Sequence, residues 1–331
     1  AAAGQEHGHV PVSEPWVLAL SGGVGGAKLC LGLQGVLPGG ALHVVANTAD
    51  DFTLHGLRIC PDIDTLLYTL SGRSNREQGW GLAGESWNVL EALRELGGET
   101  WFQLGDRDLA THLWRTGALS AGHSLGEVTA ALAQRFGITT TIHPMCEQPV
   151  STLVHTELGD LDFQRYFVEH RCEPAVSGFE FRGVAQSQPP RAVLDLLAAR
   201  PPTAIVLCPS NPFVSMDPVL AVPGLWQALA DSEAPVLAVS PIVAGSALKG
   251  PAAKMMAELG LAVTAAGVAA HYAQRYPGLV DSFVLDDSDA TLAADVEMLG
   301  FGTEVMPTVM RTDEDKRKLA QRLLEVAAKA G

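Results

Sequence analysis

The sequence predicts an α/β fold, and three observations carry the expectation. Ala, Leu, Val and Gly dominate while aromatic residues reach only 6%, a mixture suited to helices packed on a buried parallel sheet. Short, wholly apolar runs recur along the 331 residues, as strands covered on both faces require. Each run ends in small polar, Gly or Pro residues, where open α/β sheets put their ligands. The specific expectation is a Rossmann-like, doubly wound, mostly parallel sheet with an inserted smaller α+β subdomain.

The elements follow in order. Trp16 to Leu20 is an apolar strand that stops at Ser21-Gly22-Gly23-Val24-Gly25-Gly26, after which Ala27 to Val36 is helical. A second buried strand, Leu42 to Ala46, ends at Asn47-Thr48-Ala49-Asp50-Asp51. Asp62 to Leu70 is helical, Asn75 to Gly81 is a loop, and helices follow at Trp87 to Leu96, Asp108 to Trp114 and Ser124 to Phe136. After Pro144 the pattern changes to short alternating stretches, Val150 to Thr156 and Phe179 to Val184, broken by Gly, Pro and charges. The division expected is a flexible extension at 1–15, a Rossmann-like part at 16–143, an insertion at 144–200 and the rest of the Rossmann-like domain at 201–331. Strands resume at Ala204 to Leu207 before the turn Cys208-Pro209-Ser210-Asn211-Pro212, and at Pro235 to Val239 before Ser240 to Gly245. A helix at Lys249 to Glu258, strands near Ala262 to Ala265 and Ser282 to Leu285, and an amphipathic helix at Thr312 to Ala328 close the chain.

Composition excludes several classes. A formal charge of -15 repels a phosphate backbone, and Lys316 to Lys318 is the one dense basic run, so nucleic acid is not an expected partner. Small anions stay open, because a few backbone amides and local cations suffice to bind them. The five cysteines have no CxxC spacing, which argues against a disulfide framework or zinc site and for a reducing cytoplasm. The first fifteen residues lack the basic start and apolar core of a signal peptide. No apolar run reaches membrane-span length, so no membrane partner is expected.

Three constellations carry chemistry. Between strand and helix, Ser21, Gly22, Gly23, Gly25 and Gly26 let backbone N–H groups face an anion, and Lys28 in the first helical turn offers a counter-charge. The loop matches neither GxGxxG nor GxxxxGK[ST]; read structurally, it is a tight turn. Asp50, Asp51, Asp62 and Asp64 crowd four carboxylates into fifteen residues with His55 and Arg58 among them, a cost relieved by a cation, water or hydrogen-bond donors. Hard oxygen ligands of this kind are what Mg²⁺ uses when it also holds substrate phosphates, whereas helix capping and turn solvation are the plain alternative. Gly105-Asp106-Arg107-Asp108 sets Arg107 between two carboxylates with His112 at helical spacing, suited to a phosphate or carboxylate, or to a helix start with His112 on the surface. Ser210, Asn211 and Pro212 form a rigid turn that can read a base or phosphate, or simply turn the chain. His43, His123, His143 and His271 show no ligand-like pairing.

Taken in order, the Ser21 to Lys28 loop, Asn47 to Asp51, His55-Gly56-Leu57, Cys60-Pro61-Asp62-Ile63-Asp64-Thr65, Leu67-Tyr68-Thr69-Leu70, Gly105 to His112, Pro209 to Pro212 and Ser240-Pro241-Ile242 closely resemble the 2-phospho-L-lactate transferase family (CofD type). The resemblance implies transfer of a phospho-three-carbon-acid group from a guanosine-diphosphate-linked donor to the deazaflavin acceptor 8-hydroxy-5-deazariboflavin (Fo), releasing GMP. That is a step of coenzyme F-420 biosynthesis, assisted by Mg²⁺, in a cytoplasmic homodimer. The glycine loop and Ser210-Asn211-Pro212 would hold the guanine nucleotide. Asp50 and its neighbours would hold metal and acceptor, Asp50 ligating Mg²⁺ with help from Asp62, and Asp62, Asp64 and Arg107 would line the deazaflavin side. Asp62 or Asp64 would orient or deprotonate the hydroxyl. Phospholactate, phosphoenolpyruvate and 3-phosphoglycerate stay open as the three-carbon acid. The other reading is a nucleotide-sugar-binding regulator of the same superfamily without transferase activity, whose relatives follow the paired aspartates with a Gly/Ser-rich run. Here Phe52-Thr53-Leu54-His55-Gly56 follows instead.

Overall fold

The computed structural model describes residues 15–330. Seven parallel strands form the central sheet: β1 (Val17–Ser21), β2 (Leu42–Ala46), β3 (Thr141–Pro144), β4 (Ala204–Leu207), β5 (Val236–Val239), β6 (Ser282–Leu285) and β7 (Gly302–Val305). Their order is β7-β6-β5-β4-β1-β2-β3, every pair parallel. The chain therefore builds outward from β1 in one direction, returns to β4 on the other side of β1, and builds outward again. This is the doubly wound α/β fold that the sequence led us to expect, and the crossover lies between β1 and β4.

The wholly apolar strands are explained by helices on both faces. Val17, Ala19, Val44, Ala46 and Val206 enter one core cluster, while Leu18, Leu20, Val45, Ile205 and Leu207 enter the other. Alternating side chains point to opposite faces, so both faces must be apolar. Helix α1 (Gly23–Val36) packs between α2 (Pro61–Leu70) and the C-terminal helix Asp313–Ala330 on the first face. Gly32 permits this close approach: a Cβ there would lie 2.2 Å from the Lys316 carbonyl oxygen.

Between β2 and β3 come the hairpin Phe52–Leu54/Leu57–Ile59, then α2, α3 (Asn88–Glu95), α4 (Asp106–Ser120) and α5 (Leu125–Arg135). Between β3 and β4 the segment Ser151–Thr156, Gly159–Asp162 and Val176–Arg182 forms a separate antiparallel sheet with the first strand in the middle. Residues 1–14 of the predicted N-terminal extension fall outside the described residues. Among those described, no helix is long and apolar enough to cross a membrane.

One expected strand is replaced by a helix. Near Ala262 to Ala265 the chain turns, and Thr264 accepts a hydrogen bond from the Gly267 N–H to start the helix Ala265–Arg275. Its buried face, Ala265, Val268, Ala269 and Tyr272, has the i, i+3, i+4, i+7 spacing of a helix. The small residues around it had read as a strand.

Candidate active site at the strand crossover

The loops after β1 and β4 meet where the sheet reverses direction. The Gly22 N–H donates to Ser210 Oγ at 3.2 Å, and a Cβ on Gly25 would lie 2.3 Å from the Pro209 carbonyl oxygen. Gly23 has φ +63°, a left-handed conformation that glycine adopts without strain, and its N–H donates to Asp62 Oδ1 at 2.9 Å. The first turn of α1 carries no acidic residue and no side-chain cap. Asp62 from α2 already meets the Gly23 amide, and beyond it the positive end of the helix faces the cavity, with half-buried Lys28 one turn on. Lys28 donates to the Met310 carbonyl at 3.4 Å. Burial, then Lys249 and Lys316, lower its pKa, and an anion here would raise it.

The carboxylates separate into two groups. In the first, the Asn47 amide joins the end of β2 to α2, donating to Asp50 Oδ2 at 3.0 Å and Asp62 Oδ2 at 2.9 Å. Asp50 Oδ1 is buried with no hydrogen-bond partner. Burial foremost, then Asp62 and Asp51, raises the Asp50 pKa well above the ordinary carboxylate range, with Thr152 and Asn47 pulling the other way. Asp62 is likewise raised by burial and held back by Asn47 and the Gly23 amide. Two crowded carboxyls and one unpartnered oxygen are groups that could hold a cation. Asp51 pairs with Arg58 at 3.2 Å; burial still pushes its pKa up to about 7, against the pull of Arg58.

The second group is a chain of buried side chains joining α2 and α4. Asp64 accepts two hydrogen bonds from the Arg115 guanidinium. Arg115 is fully buried, and its NH1 lies 3.2 Å from His112 Nδ1. His112 Nε2 lies 3.2 Å from Asp108 Oδ1, which also accepts from the Tyr68 hydroxyl. Although burial opposes it, His112, Tyr68 and Arg115 together hold the Asp108 pKa below its usual value. One oxygen or nitrogen each from Asp64, Asp108 and His112 lies within 4.8 Å of the others, but Arg115 already supplies the positive charge that a metal would bring there.

Both groups open onto one cavity of about 710 Å³. Of the residues singled out from the sequence, Gly22, Gly23, Gly25, Lys28, Asp50, Asp62, Asp64, Ser210 and Asn211 line it. Ser21, Gly26 and Pro212 sit behind that wall. The Asn211 side chain is engaged as a cap, its Oδ1 accepting from the Phe213 and Val214 amides. Arg107 points elsewhere: it lines a separate recess of about 630 Å³ with Arg73 and Arg135, and its NH1 donates to the Ala83 carbonyl at 3.4 Å. Its helical neighbour Asp108 faces the cavity instead, as does His112, which is buried and not on the surface. Sequence reasoning missed Tyr68 and Arg115, and also Phe163, Gln164 and Phe167, which the inserted segment contributes to the wall. The signal for the α4 residues is the spacing of Asp108, His112 and Arg115 at i, i+4 and i+7, one polar stripe on a helix.

Comparison with known proteins gives consistent results. The model of the family described as "2-phospho-L-lactate transferase CofD" matches residues 17–327. A phosphoenolpyruvate transferase of Streptomyces griseus subsp. griseus is 39% identical over 316 residues, covering 94% of this chain and 98% of that one. A 2-phospho-L-lactate transferase of Methanosarcina acetivorans is 38% identical over 305 residues, covering 92% and 97%. Among solved structures, a UPF0052 family protein of Bacillus halodurans superposes with a TM-score of 0.62 at 16% identity, over 94% of this chain and 99% of that one; this likeness is one of fold.

Proposed function

The chain belongs to the 2-phospho-L-lactate transferase CofD family, and from that premise we propose the reaction its cavity serves. A phospho-three-carbon-acid group (phospholactate, phosphoenolpyruvate or 3-phosphoglycerate) passes from a guanosine-diphosphate-linked donor to a hydroxyl of the deazaflavin Fo, and GMP leaves. A cytoplasmic homodimer is part of the same proposal. The observation that carries it is the meeting, in one cavity, of a glycine loop at a helix N-terminus and an under-compensated carboxylate pair.

In this reading the donor's phosphates lie against the amides after Gly22 and against Lys28, with Ser210 on the nucleotide side. Asp50 fits a magnesium ligand, because its Oδ1 is buried and unpartnered, and Asp62 is held beside it through Asn47. Mg²⁺, when bound, neutralises phosphate charge. The acceptor hydroxyl oxygen bonds to the phosphorus kept in the product, the bond from that phosphorus to the GMP oxygen breaks, and the hydroxyl proton leaves to solvent. Such transfers depend chiefly on positioning and charge neutralisation. The rigid amide and carboxylate framework supplies the positioning. Asp64 is matched by Arg115, so the pair adds little net charge to the acceptor end. Arg107 has no part in this arrangement.

The test is mass spectrometry of the product formed from purified protein, Fo, Mg²⁺ and each guanylylated donor in turn. Failure with all three donors, or selective thermal stabilisation by uridine-diphosphate sugars over Fo, would overturn the reading in favour of a nucleotide-sugar binder. Asp50→Asn should lower turnover by about a hundredfold and abolish the thermal stabilisation produced by Mg²⁺.

A further inference from the structure

The network on α4 leaves one carboxylate oxygen unassigned. Asp108 Oδ1 faces two donors, the Tyr68 hydroxyl and His112 Nε2. The His112 tautomer follows from its other neighbour: Nδ1 faces a guanidinium nitrogen of Arg115, which can only donate, so Nδ1 accepts and Nε2 carries the proton. Arg115 is in turn fixed by both oxygens of Asp64. Both side-chain donors beside the Asp108 carboxylate thus converge on Oδ1, and Oδ2 has no partner among the described residues. The Asp108 side chain is 15% exposed and that opening is the cavity. His112 Nε2, although 3.2 Å from Oδ1, is not well aligned with it. The Tyr68 hydroxyl therefore holds the carboxylate through Oδ1 and leaves Oδ2 free for a ligand.

We propose that Asp108 Oδ2 accepts a hydrogen bond from a hydroxyl of the acceptor substrate, making Asp108 a specificity-determining contact on the side of the cavity away from the nucleotide loop. This rests on the transferase reading above. Asp64 is less suited to this, because both its oxygens already accept from Arg115, and so is Asp62, whose oxygens already accept from the Gly23 amide and Asn47. The first turn of α4, where Asp108 stands, favours a carboxylate that stays ionised. Its depressed basicity suits an oxygen that orients a hydroxyl more than one that removes its proton.

Asp108→Asn is the informative variant. Its amide oxygen still accepts from Tyr68, and its NH₂ replaces the free acceptor with a donor. Fluorescence titration with 8-hydroxy-5-deazariboflavin should show binding weakened about tenfold to a hundredfold. GDP affinity and donor KM should be unchanged, and only the acceptor KM should rise. Unchanged deazaflavin affinity, or a parallel rise in both KM values, overturns the proposal. If the wild type itself fails to bind the deazaflavin, the transferase reading fails first. Tyr68→Phe keeps Oδ2 and should bind the deazaflavin within about threefold of wild type; a tenfold loss there would give the contact to Tyr68 and also overturn the proposal.

Discussion

Removing the Arg115 guanidinium should be among the most destabilising single changes in this chain. Arg115→Met keeps much of the side-chain volume but strips Asp64, whose side chain is 7% exposed, of its two hydrogen bonds and its counter-charge. Breaking one half of a buried pair costs about 3–5 kcal/mol, because the remaining charge stays desolvated. Unfolding entropy of about 2.1 cal/mol/K per residue amounts to roughly 0.7 kcal/mol/K for 331 residues, so the melting temperature should fall by about 4–7 °C. The companion variant Asp64→Leu strands the guanidinium instead and should cost a similar amount. Combining the two removes both charges, and the double variant should be markedly more stable than the sum of the single losses predicts. Calorimetry of the four proteins completes the cycle. A shift below about 1 °C for Arg115→Met, or simple additivity in the double variant, would refute the argument that Arg115 exists to compensate Asp64.

Other expectations follow from single contacts. Gly25→Ala drives a methyl to 2.3 Å from the Pro209 carbonyl; it should cost about 1–3 kcal/mol in denaturant titration and weaken GDP binding, because the two loops must part. His143 is held at about pH 4 by burial and by His43, 3.1 Å away. Its folded pKa lies below the unfolded value of about 6.5, so its contribution is complete above that value and is lost as pH falls toward 4. That loss is about 2–3 kcal/mol, and His143→Gln should flatten the stability profile across this window. Thr264→Ala removes the cap that starts the helix Ala265–Arg275 and should cost about 1 kcal/mol by equilibrium unfolding.

What the sequence revealed, and what it hid, follows from how each feature is encoded. The central sheet was readable because strands covered on both faces must be apolar throughout, and Val17 to Leu20 or Ala204 to Leu207 can be little else. The hairpin at 52–59 was not, since its turn residues His55 and Gly56, with φ of +52° and +75°, lack the usual Asn-Gly signal and its strands are three residues long. The glycine loop and the aspartates of 50 to 64 stood out because local spacing alone groups them. Arg115 did not, because it is 51 residues from Asp64. The stripe Asp108, His112, Arg115 also inverts the usual rule: it faces inward while Leu113 and Trp114 on the same helix are 55% and 36% exposed. A polar stripe reads as a solvent face until tertiary contacts show what it meets. The same inversion separates Arg107, which lines another recess, from Asp108, which one position on faces the cavity.

The crossover between β1 and β4 has a consequence for how the chain is made. Leu20 pairs with Leu207, 187 residues later, so during synthesis at about 5–20 residues per second the central strand waits roughly 10–40 s for its second neighbour. Through that interval β1, wholly apolar, presents an open edge on which any other strand could template. The phosphate loop has no opposing wall until the same strand arrives, since Ser210 and Pro209 follow β4 directly. Nascent chains should therefore depend on chaperone cover at that stage, and no ligand of the finished site can assist before the last third of the protein has left the ribosome.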